Sequence, residues 1–354
     1  MWSILKREVK NYLKKPLFWI GIAVVVIMVF LNVGPYLNIH YLAEGEEIVN
    51  DYPEIFRDAD VYDGYVPTEE GLRREVWEEQ IKETLISVME MDDTEAQSVI
   101  DEMKEMDIMA ASGYLEKYRL YGTYYTYRDT AYHKGTREEI NSYIAEKLEN
   151  RRFSYYFSRK FADFTGVMMG FFATVLFSVL FMQDTKKNNY ELLHTKPVSA
   201  ENYLLGKVGG GFAVCLIILA VLNLIFFALC TLLTKNNGFE VRLTDFILAT
   251  CYYILPNMLM IISVYSLISL LFKSPLPAVP LLFLYMVYSN MGSRNAEGIY
   301  GYYGMPLAIM VRFPGSFFDT APPPMVLLNQ SFLIIASAGI IFISIRIWKR
   351  RRVY

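Results

Sequence analysis

The sequence predicts an all-α polytopic membrane protein with six transmembrane helices, both termini in the cytosol, and a mostly helical extracytoplasmic domain between spans 1 and 2. Three observations lead to this fold class. Hydrophobic residues make up 54% of the 354-residue chain and charged residues 20%, and the two kinds are strongly segregated along it. Several apolar stretches are long enough for a helix to cross a bilayer. Basic residues flank these stretches in a pattern that gives each one a direction.

Six apolar stretches are candidate membrane helices, because a bilayer core needs roughly 17 to 25 apolar residues in helical form. They cover residues 16–33 within a first segment 16–35, and then residues 164–182, 205–233, 246–272, 276–291 and 327–348. The fifth stretch is short and carries Pro277 and Pro280. Prolines are tolerated in membrane helices, so the stretch remains a candidate.

The basic residues decide how many of these stretches cross. Five of them precede the first span and place the N-terminus in the cytosol, namely Lys6, Arg7, Lys10, Lys14 and Lys15. Because successive spans cross in alternating directions, the loops that carry Lys186, Lys187, Lys196 and Lys273 are predicted to lie in the cytosol as well. The basic tail 349–352 also lies inside, but only if the fifth stretch crosses the membrane. The sequence therefore predicts six spans.

Residues 1–15 are predicted to form an amphipathic helix on the cytosolic membrane surface. Apolar residues recur there at helical spacing with basic residues between them: Trp2, Leu5, Val9, Tyr12 and Leu13. The alternative is a solvated helical start to the first span. No small-x-small cleavage site follows that span, so we interpret it as an uncleaved anchor rather than a signal peptide.

Residues 36–160 are too long for a loop and predict an acidic, mostly helical extracytoplasmic domain without cysteines. Thr68, Thr94 with Gln97, and Thr136 with Glu139 are predicted to cap three helices. The acidic run 58–63 precedes Gly64, but an EF-hand loop needs its glycine one residue earlier. We therefore predict a solvated acidic loop there rather than a calcium site.

The sequence shows no catalytic, cofactor or metal-binding motif. It lacks a phosphate-binding G-x-x-x-x-G-K-[ST], an H-E-x-x-H and a G-x-S-x-G pattern, and its three histidines are scattered. Ionisable residues lie near span ends rather than at mid-depth, which argues against an ion-coupled carrier. No basic block with interleaved aromatics indicates nucleic acid. We expect a chain that performs no chemistry and whose surroundings are the lipid bilayer.

The predicted cytosolic loop 183–204 carries the most informative pattern. Residues 189–194 can form a short helix that presents Tyr190 and Leu193 on one side, with Pro197 ending it and Ser199 capping the next helix. From physics alone, a protein contact and a plain linker remain equal alternatives. The stretch E-L-L-H-T-K-P-V-S at 191–199, followed by Y-L-L-G-K at 203–207, resembles the E-L-L-x-T-x-P-[VIL]-S and Y-x-x-G-K pattern of ABC-2-type transporter permeases. Residues 4–10 and 15–19 look like the entry helix of the same family, whereas many relatives have a glycine where Asn188 or Asn189 stands.

The resemblance implies the membrane subunit of an ATP-driven ABC exporter in a cell membrane of bacterial type. It implies a coupling helix that docks on a cytosolic ABC ATPase, carried over here to Tyr190, Glu191, Leu192, Leu193, His194 and Thr195. It also implies two such ATPase subunits, a homodimer or a heterodimer with a second permease, and either partly re-entrant helices or an interfacial loop at 289–325. Because the spans are apolar, we expect an amphiphilic peptide, lipid or drug-like substrate. The alternatives are a non-transporting sensor or immunity component, and more remotely a membrane enzyme.

Overall fold

The computed structural model describes residues 2–57, 59–185, 198–291, 293–294, 300–301 and 305–351. The chain separates into two compact units. One unit combines Met1–Asn38 with Arg151–Tyr354 and contains the apolar helices. The other unit is Ile39–Asn150, which is inserted between the first and second of those helices in chain order.

The described residues are mostly helical, with only four very short strands. The helices are α1 Trp2–Leu13, α2 Pro16–Val33, α3 Glu70–Ser87, α4 Asp93–Met103, α5 Ile108–Leu115, α6 Thr123–Asp129, α7 Arg137–Asn150, α8 Phe153–Thr185, α9 Ala200–Leu233, α10 Leu243–Tyr253, α11 Leu255–Phe272, α12 Ala278–Asn290 and α13 Val326–Arg351. The strands are β1 Tyr65–Pro67, β2 Tyr132–Lys134, β3 Ser293–Arg294 and β4 Tyr300–Gly301. They form two antiparallel pairs, β1 with β2 and β3 with β4.

Five helical segments in the described part of the chain are long and apolar enough to cross a membrane. They are Pro16–Asn38, Phe153–Met182, Ala200–Leu233, Leu243–Phe272 and Val326–Arg350. The fifth predicted span corresponds to α12, an apolar helix of only 13 residues. At 1.5 Å per residue α12 is roughly 20 Å long, which is less than the thickness of a bilayer core. The count of six spans stays a prediction.

The fourth predicted span is two helices rather than one. Helix α10 ends at Tyr253 and α11 begins at Leu255, with Pro256 in its first turn. Proline has no backbone N–H and its ring clashes with the preceding turn, which breaks the helix here. The Asn257 side chain donates a 2.7 Å hydrogen bond to the carbonyl of Tyr253 and so satisfies one of the groups freed at the break.

Helices α11 and α13 run side by side in the same direction. Ser337 on α13 contacts Met260 on α11 at 3.5 Å between Oγ and Sδ. About three turns further along both helices, Trp348 packs with Leu270 in one apolar cluster. Because the two helices are parallel, the chain between residues 272 and 326 must return to the end of the bundle at which α11 began. Helix α12 lies in that returning segment.

Aromatic side chains fill the core between α8, α9 and α10. The rings of Phe157 and Phe161 on α8 lie 5.2 to 6.3 Å from those of Phe226 and Phe246. Buried polar side chains join the same helices, since Thr250 donates a 3.0 Å hydrogen bond to Asn223. Such bonds satisfy polar groups where no water is available. Mid-span polarity here serves contact between helices.

The inserted unit has its own core around Trp77, which is fully buried on α3. Its ring nitrogen donates a 2.9 Å hydrogen bond to the carbonyl of Thr123, and its ring meets Tyr127 edge to face at 5.7 Å. Apolar residues of α4 and α5 complete this core, including Ile100 and Leu115. The unit therefore folds around packed side chains without a disulfide, as its lack of cysteines required.

Only one of the three helix caps predicted in the inserted unit is correct. Thr136 and Glu139 form a capping box, with Thr136 N–H donating to the Glu139 carboxylate at 2.7 Å, and this bond lowers the pKa of Glu139. The cap at Thr94 was wrong, because the Asp92 side chain accepts from the N–H of Thr94 instead. The cap at Thr68 was also wrong, since α3 begins after Glu69 and no side chain caps it.

The acidic run is less solvated than predicted. Asp60 is 5% exposed, and its carboxylate accepts a 2.7 Å hydrogen bond from the N–H of Val61 at the start of a short 3-10 turn. Gly64 follows with a φ of 85°, a left-handed conformation that glycine adopts without steric cost. Asp60 is thus a structural cap.

Candidate coupling site

The predicted contact residues Tyr190 to Thr195 lie outside the described residues. The structure describes the two helices that bound them, α8 ending at Thr185 and α9 beginning at Ala200. Residues 183–185 and 200–204 of the predicted loop are therefore helical. What the structure contributes to this site is the set of contacts that fix the start of α9.

The first turn of α9 is capped as the sequence predicted. The Ser199 hydroxyl accepts a 3.2 Å hydrogen bond from the N–H of Asn202. Glu201 lies in the first turn, where an acidic side chain favours the helix dipole. Its carboxylate also pairs with the ammonium of Lys349 near the end of α13. The start of α9 is consequently joined to the last helix of the chain.

A stacked pair of aromatic rings strengthens the same junction. Tyr203 on α9 and Trp348 on α13 lie with their ring centroids 4.2 Å apart and their planes at 20°. Ala200, Leu204 and Leu270 are buried around them in one apolar cluster. Stacked aromatic pairs contribute about 0.5 to 1.5 kcal/mol beyond the area that they bury. The cluster holds the ends of α11 and α13 against the start of α9.

Helix α1 packs on α9 further along that helix, through close backbone approach. A side chain at Gly210 would place its Cβ 2.9 Å from the Cβ of Glu8, so only glycine allows the two helices to lie this close. Glu8 and Lys207 form a buried ion pair here, with 3.9 Å between the carboxylate and the ammonium. Lys207 also lies over the ring of Phe181 on α8, at 5.7 Å from its centroid.

A further bond joins α1 to the helix that precedes the loop. The hydroxyl of Tyr12, which is 2% exposed, donates a 3.0 Å hydrogen bond to the carbonyl of Leu176 on α8. Helix α1 therefore bridges α8 and α9, the helices on either side of the predicted contact segment. We call the contacts of Glu8, Tyr12, Tyr203, Lys207 and Trp348 the loop frame.

Sequence reasoning missed Glu8, which is buried together with Tyr12 on the side of α1 that faces the other helices. Trp2 and Leu13 of the predicted apolar face are 66% and 48% exposed, so they are open to lipid, and the amphipathic surface helix stays a prediction. One signal was available. Glu8 is the sole acidic residue among the first 43, in a helix that is otherwise basic. An acid isolated in this way indicates a specific partner.

A second group of charged residues lies at the opposite end of the apolar helices. Asp163 on α8, 3% exposed, pairs with the guanidinium of Arg312. Lys160, one turn earlier, is also buried and donates to the carbonyls of Phe313 at 3.2 Å and Gly315 at 2.5 Å. Two charged residues of α8 thus hold the segment 312–315 in place.

The segment 305–325 between α12 and α13 contains no helix. Side chains of the neighbouring helices form hydrogen bonds with its backbone. The Ser289 hydroxyl accepts a 3.0 Å hydrogen bond from the N–H of Ile309, and the Asn329 side chain donates a 2.9 Å hydrogen bond to the carbonyl of Ala308. Residues 308–311 are buried. Residues 305–325 thus form an irregular packed loop, and both alternatives for the whole stretch 289–325 stay predictions.

These features define the class of protein: a helical protein with several apolar helices long enough to cross a membrane and a folded unit inserted after the first of them. The family model described as ABC-2 family transporter protein matches residues 2–306. The chain belongs to this family, which confirms the resemblance found in the loop. The same chain showed no match among curated proteins or among solved structures.

Membership settles the general kind of molecule. Permeases of this family are the transmembrane component of ABC transporters, are generally non-catalytic, and work with cytosolic ATPase subunits. The chain is accordingly a membrane protein of an ABC transporter.

Proposed function

We propose that this chain is the permease subunit of an ABC exporter in a bacterial cell membrane, driven by two separate cytosolic ATPase subunits. Residues Tyr190 to Thr195 would contact the ATPase, and the permease would pair with a second copy or a sister permease. The observation that carries the proposal is the loop frame. It joins the helices on both sides of the contact segment to α1, α11 and α13, so a push on the segment reaches several helices at once.

The mechanism that follows is a rigid-body one. Packed helices are bistable and move as units rather than deforming continuously, so a small displacement at the contact segment is amplified into a shift between helices. Because Glu8 and Tyr12 tie α1 to both α9 and α8, these helices would move together. Trp348 would carry the displacement to α13.

We further propose six spans with both termini in the cytosol and the unit Ile39–Asn150 outside. The parallel arrangement of α11 and α13 supports this count, because the chain between them must return across the bundle. The start of α9 and the ends of α11 and α13 lie at one end of the apolar helices together with α1. Lys6, Lys273 and Lys349 belong to these regions, and positive charge favours the cytosolic side.

An amphiphilic substrate fits the composition of the apolar helices. Segment 305–311 and the first turns of α13 enclose a cavity of about 400 Å³ that is lined mainly by apolar side chains, among them Met305, Leu307, Met310, Leu328 and Phe332. A sugar or ion would lose its hydration there without compensating partners. The excess of acidic residues in the inserted unit favours cationic amphiphiles in an ionic-strength-dependent way.

The decisive experiment disrupts the contact segment. The tagged full-length chain is purified in mild detergent from its own cells, and co-purifying proteins are identified and assayed for ATP hydrolysis. Leu193→Asp places a charge in an apolar contact, at a cost of several kcal/mol if it is unpaired. We expect this variant and Glu191→Arg to lose the ATPase. Leu72→Asp and Glu47→Arg make the same changes on exposed residues of the inserted unit and should retain it.

If both loop variants retain a fully active ATPase, the loop is a linker and does not contact the ATPase. Recovery of a sensor kinase in place of an ATPase would favour the signalling alternative.

A further inference from the structure

Every exposed charged residue of α1 is basic, because its one acidic residue is turned inward. Glu8 is buried against Lys207, whereas four basic residues of this stretch are exposed: Lys6, Arg7, Lys10 and Lys14. Viewed down the helix axis, the apolar residues Val9 and Leu13 lie between the buried residues Glu8 and Tyr12 on one side and the basic residues on the other. Lys6 and Lys10 each lie three residues before an apolar one, so they are neighbours of Val9 and Leu13 on the helix surface.

An apolar crevice opens directly beside this face. It has a volume of about 160 Å³ and is lined by α1, α2 and α9, with Val9, Leu13, Trp19, Ile217 and Val221 among its residues. Around it, α1 packs on α9 and α2 packs on α8. Its rim is apolar yet exposed, since Trp19 and Ile217 are each 54% exposed. The ring nitrogen of Trp19 is already satisfied by the carbonyl of Leu13 at 2.9 Å.

We propose that the crevice binds one acyl chain of an anionic phospholipid whose phosphate contacts Lys6 and Lys10. A crevice almost without polar atoms needs an apolar occupant, and its size fits part of one chain. The neighbouring residues Lys6 and Lys10 add the requirement of a negative headgroup, because each lysine near a membrane surface attracts an anionic lipid. A cationic amphiphile of the kind proposed as substrate would be repelled here. The site is therefore distinct from the substrate route and goes beyond the proposed function.

Trp19 provides a direct probe, because brominated acyl chains quench tryptophan that they touch. The full-length chain is reconstituted in phosphatidylcholine vesicles that contain increasing fractions of brominated phosphatidylglycerol or of brominated phosphatidylcholine. Subtracting the emission of a Trp19→Phe variant removes the other three tryptophans. We expect the anionic lipid to quench Trp19 at a far lower mole fraction than the neutral lipid does. Equal quenching by the two lipids would overturn the proposal.

Two double variants in the same N-terminal stretch distinguish a defined site from the general effect of surface charge. Lys6→Gln with Lys10→Gln should weaken the preference for the anionic lipid about thirtyfold, which corresponds to about 2 kcal/mol for two lysines. Arg7→Gln with Lys14→Gln removes equal charge from two exposed residues that do not lie three residues before a crevice residue, and should leave the preference nearly unchanged. An equal loss in both would contradict a defined site.

A third variant tests the crevice itself without changing any charge. Ile217→Phe fills part of it at an exposed position and should reduce quenching by both lipids. It also decides the matter if the lysine variant fails to reconstitute, because unaltered quenching in Ile217→Phe would show that no chain lies in the crevice. None of these measurements involves an ATPase, so their failure would leave the proposed transport function untouched.

Discussion

Glu8 of α1 and Lys207 of α9 form an ion pair with 3.9 Å between Oε1 and Nζ, and Lys207 is only 1% exposed. Removing one partner of a buried pair leaves the other charge uncompensated, whereas removing both can be nearly neutral. The pair therefore fixes the position of α1 more than it adds stability. Lys207 ends the Y-x-x-G-K stretch shared with the family pattern, which gives that lysine a structural reason.

The first prediction concerns this pair. Glu8→Gln and Lys207→Met should each lower the free energy of unfolding by about 3 kcal/mol. The double variant Glu8→Gln with Lys207→Met should lose less than the sum of the two, which the melting midpoint in detergent can measure as a double-mutant cycle. The exposed pair Glu240–Arg242 is the control, and its disruption should cost at most about 1 kcal/mol. Additive losses would mean that the two charges do not interact.

The second prediction concerns the stacked rings at the start of α9. Trp348→Ala removes a buried aromatic side chain and should cost about 3 kcal/mol, because a cavity is left between α9 and α13. Trp348→Phe keeps a ring over Tyr203 and should lose much less. Phe342→Ala makes a comparable truncation on the same helix at a residue that is 56% exposed, and serves as the control.

The measurement for these variants is the melting midpoint together with the ATPase activity of the purified complex. If Trp348→Ala behaves like Phe342→Ala in both, the aromatic cluster does not hold the ends of α9 and α13 together.

The third prediction concerns topology. Single cysteines are introduced into a chain whose three native cysteines are replaced, and intact cells are treated with an impermeant maleimide. Cysteines at Tyr121 and Lys235 should react from outside. Cysteines at Lys273 and Arg350 should react only after the membrane is opened. Labelling of position 350 in intact cells would exclude the six-span arrangement, because that arrangement places the end of α13 in the cytosol.

Much of the apolar framework could be predicted from the sequence, because length and hydropathy are properties of a single segment. The break at Pro256 was missed, although proline marked it, because the apolar run continues across it. The capping box of Thr136 and Glu139 was predicted correctly, since it is complete within four residues. The cap at Thr94 was predicted wrongly, because the neighbouring Asp92 offers a competing hydrogen-bond acceptor and the local pattern does not decide between the two side chains.

The loop frame could not be predicted, for a different reason. The partner of Glu8 lies far along the chain, and nothing local to either residue indicates the other. The pairing of Tyr203 with Trp348 is non-local in the same way. Ser199, by contrast, caps a helix that begins at the next residue, so its role was visible. Contacts within one helical turn could be predicted from the sequence, whereas contacts between helices could not.

The last prediction concerns the segment that Asp163 holds through Arg312. The pair is buried on the carboxylate side, and Lys160 binds the carbonyls that follow, so the loop 305–325 is fixed to α8 by charged side chains. Asp163→Asn should weaken this attachment and allow local opening, which has a smaller free energy than global unfolding. A cysteine at Ala308, 4% exposed in the folded chain, reports that opening as its labelling rate.

We expect the labelling rate at position 308 to rise at least tenfold in Asp163→Asn, which corresponds to a loss of about 1.4 kcal/mol in the closing equilibrium. Arg242→Gln breaks an exposed pair within the same unit and should leave the rate unchanged. Lys160→Met should raise the rate as well, since it removes the donor to two carbonyls of the same segment. An unchanged rate in both Asp163→Asn and Lys160→Met would mean that Ser289 and Asn329 hold the loop without help from the charged residues of α8.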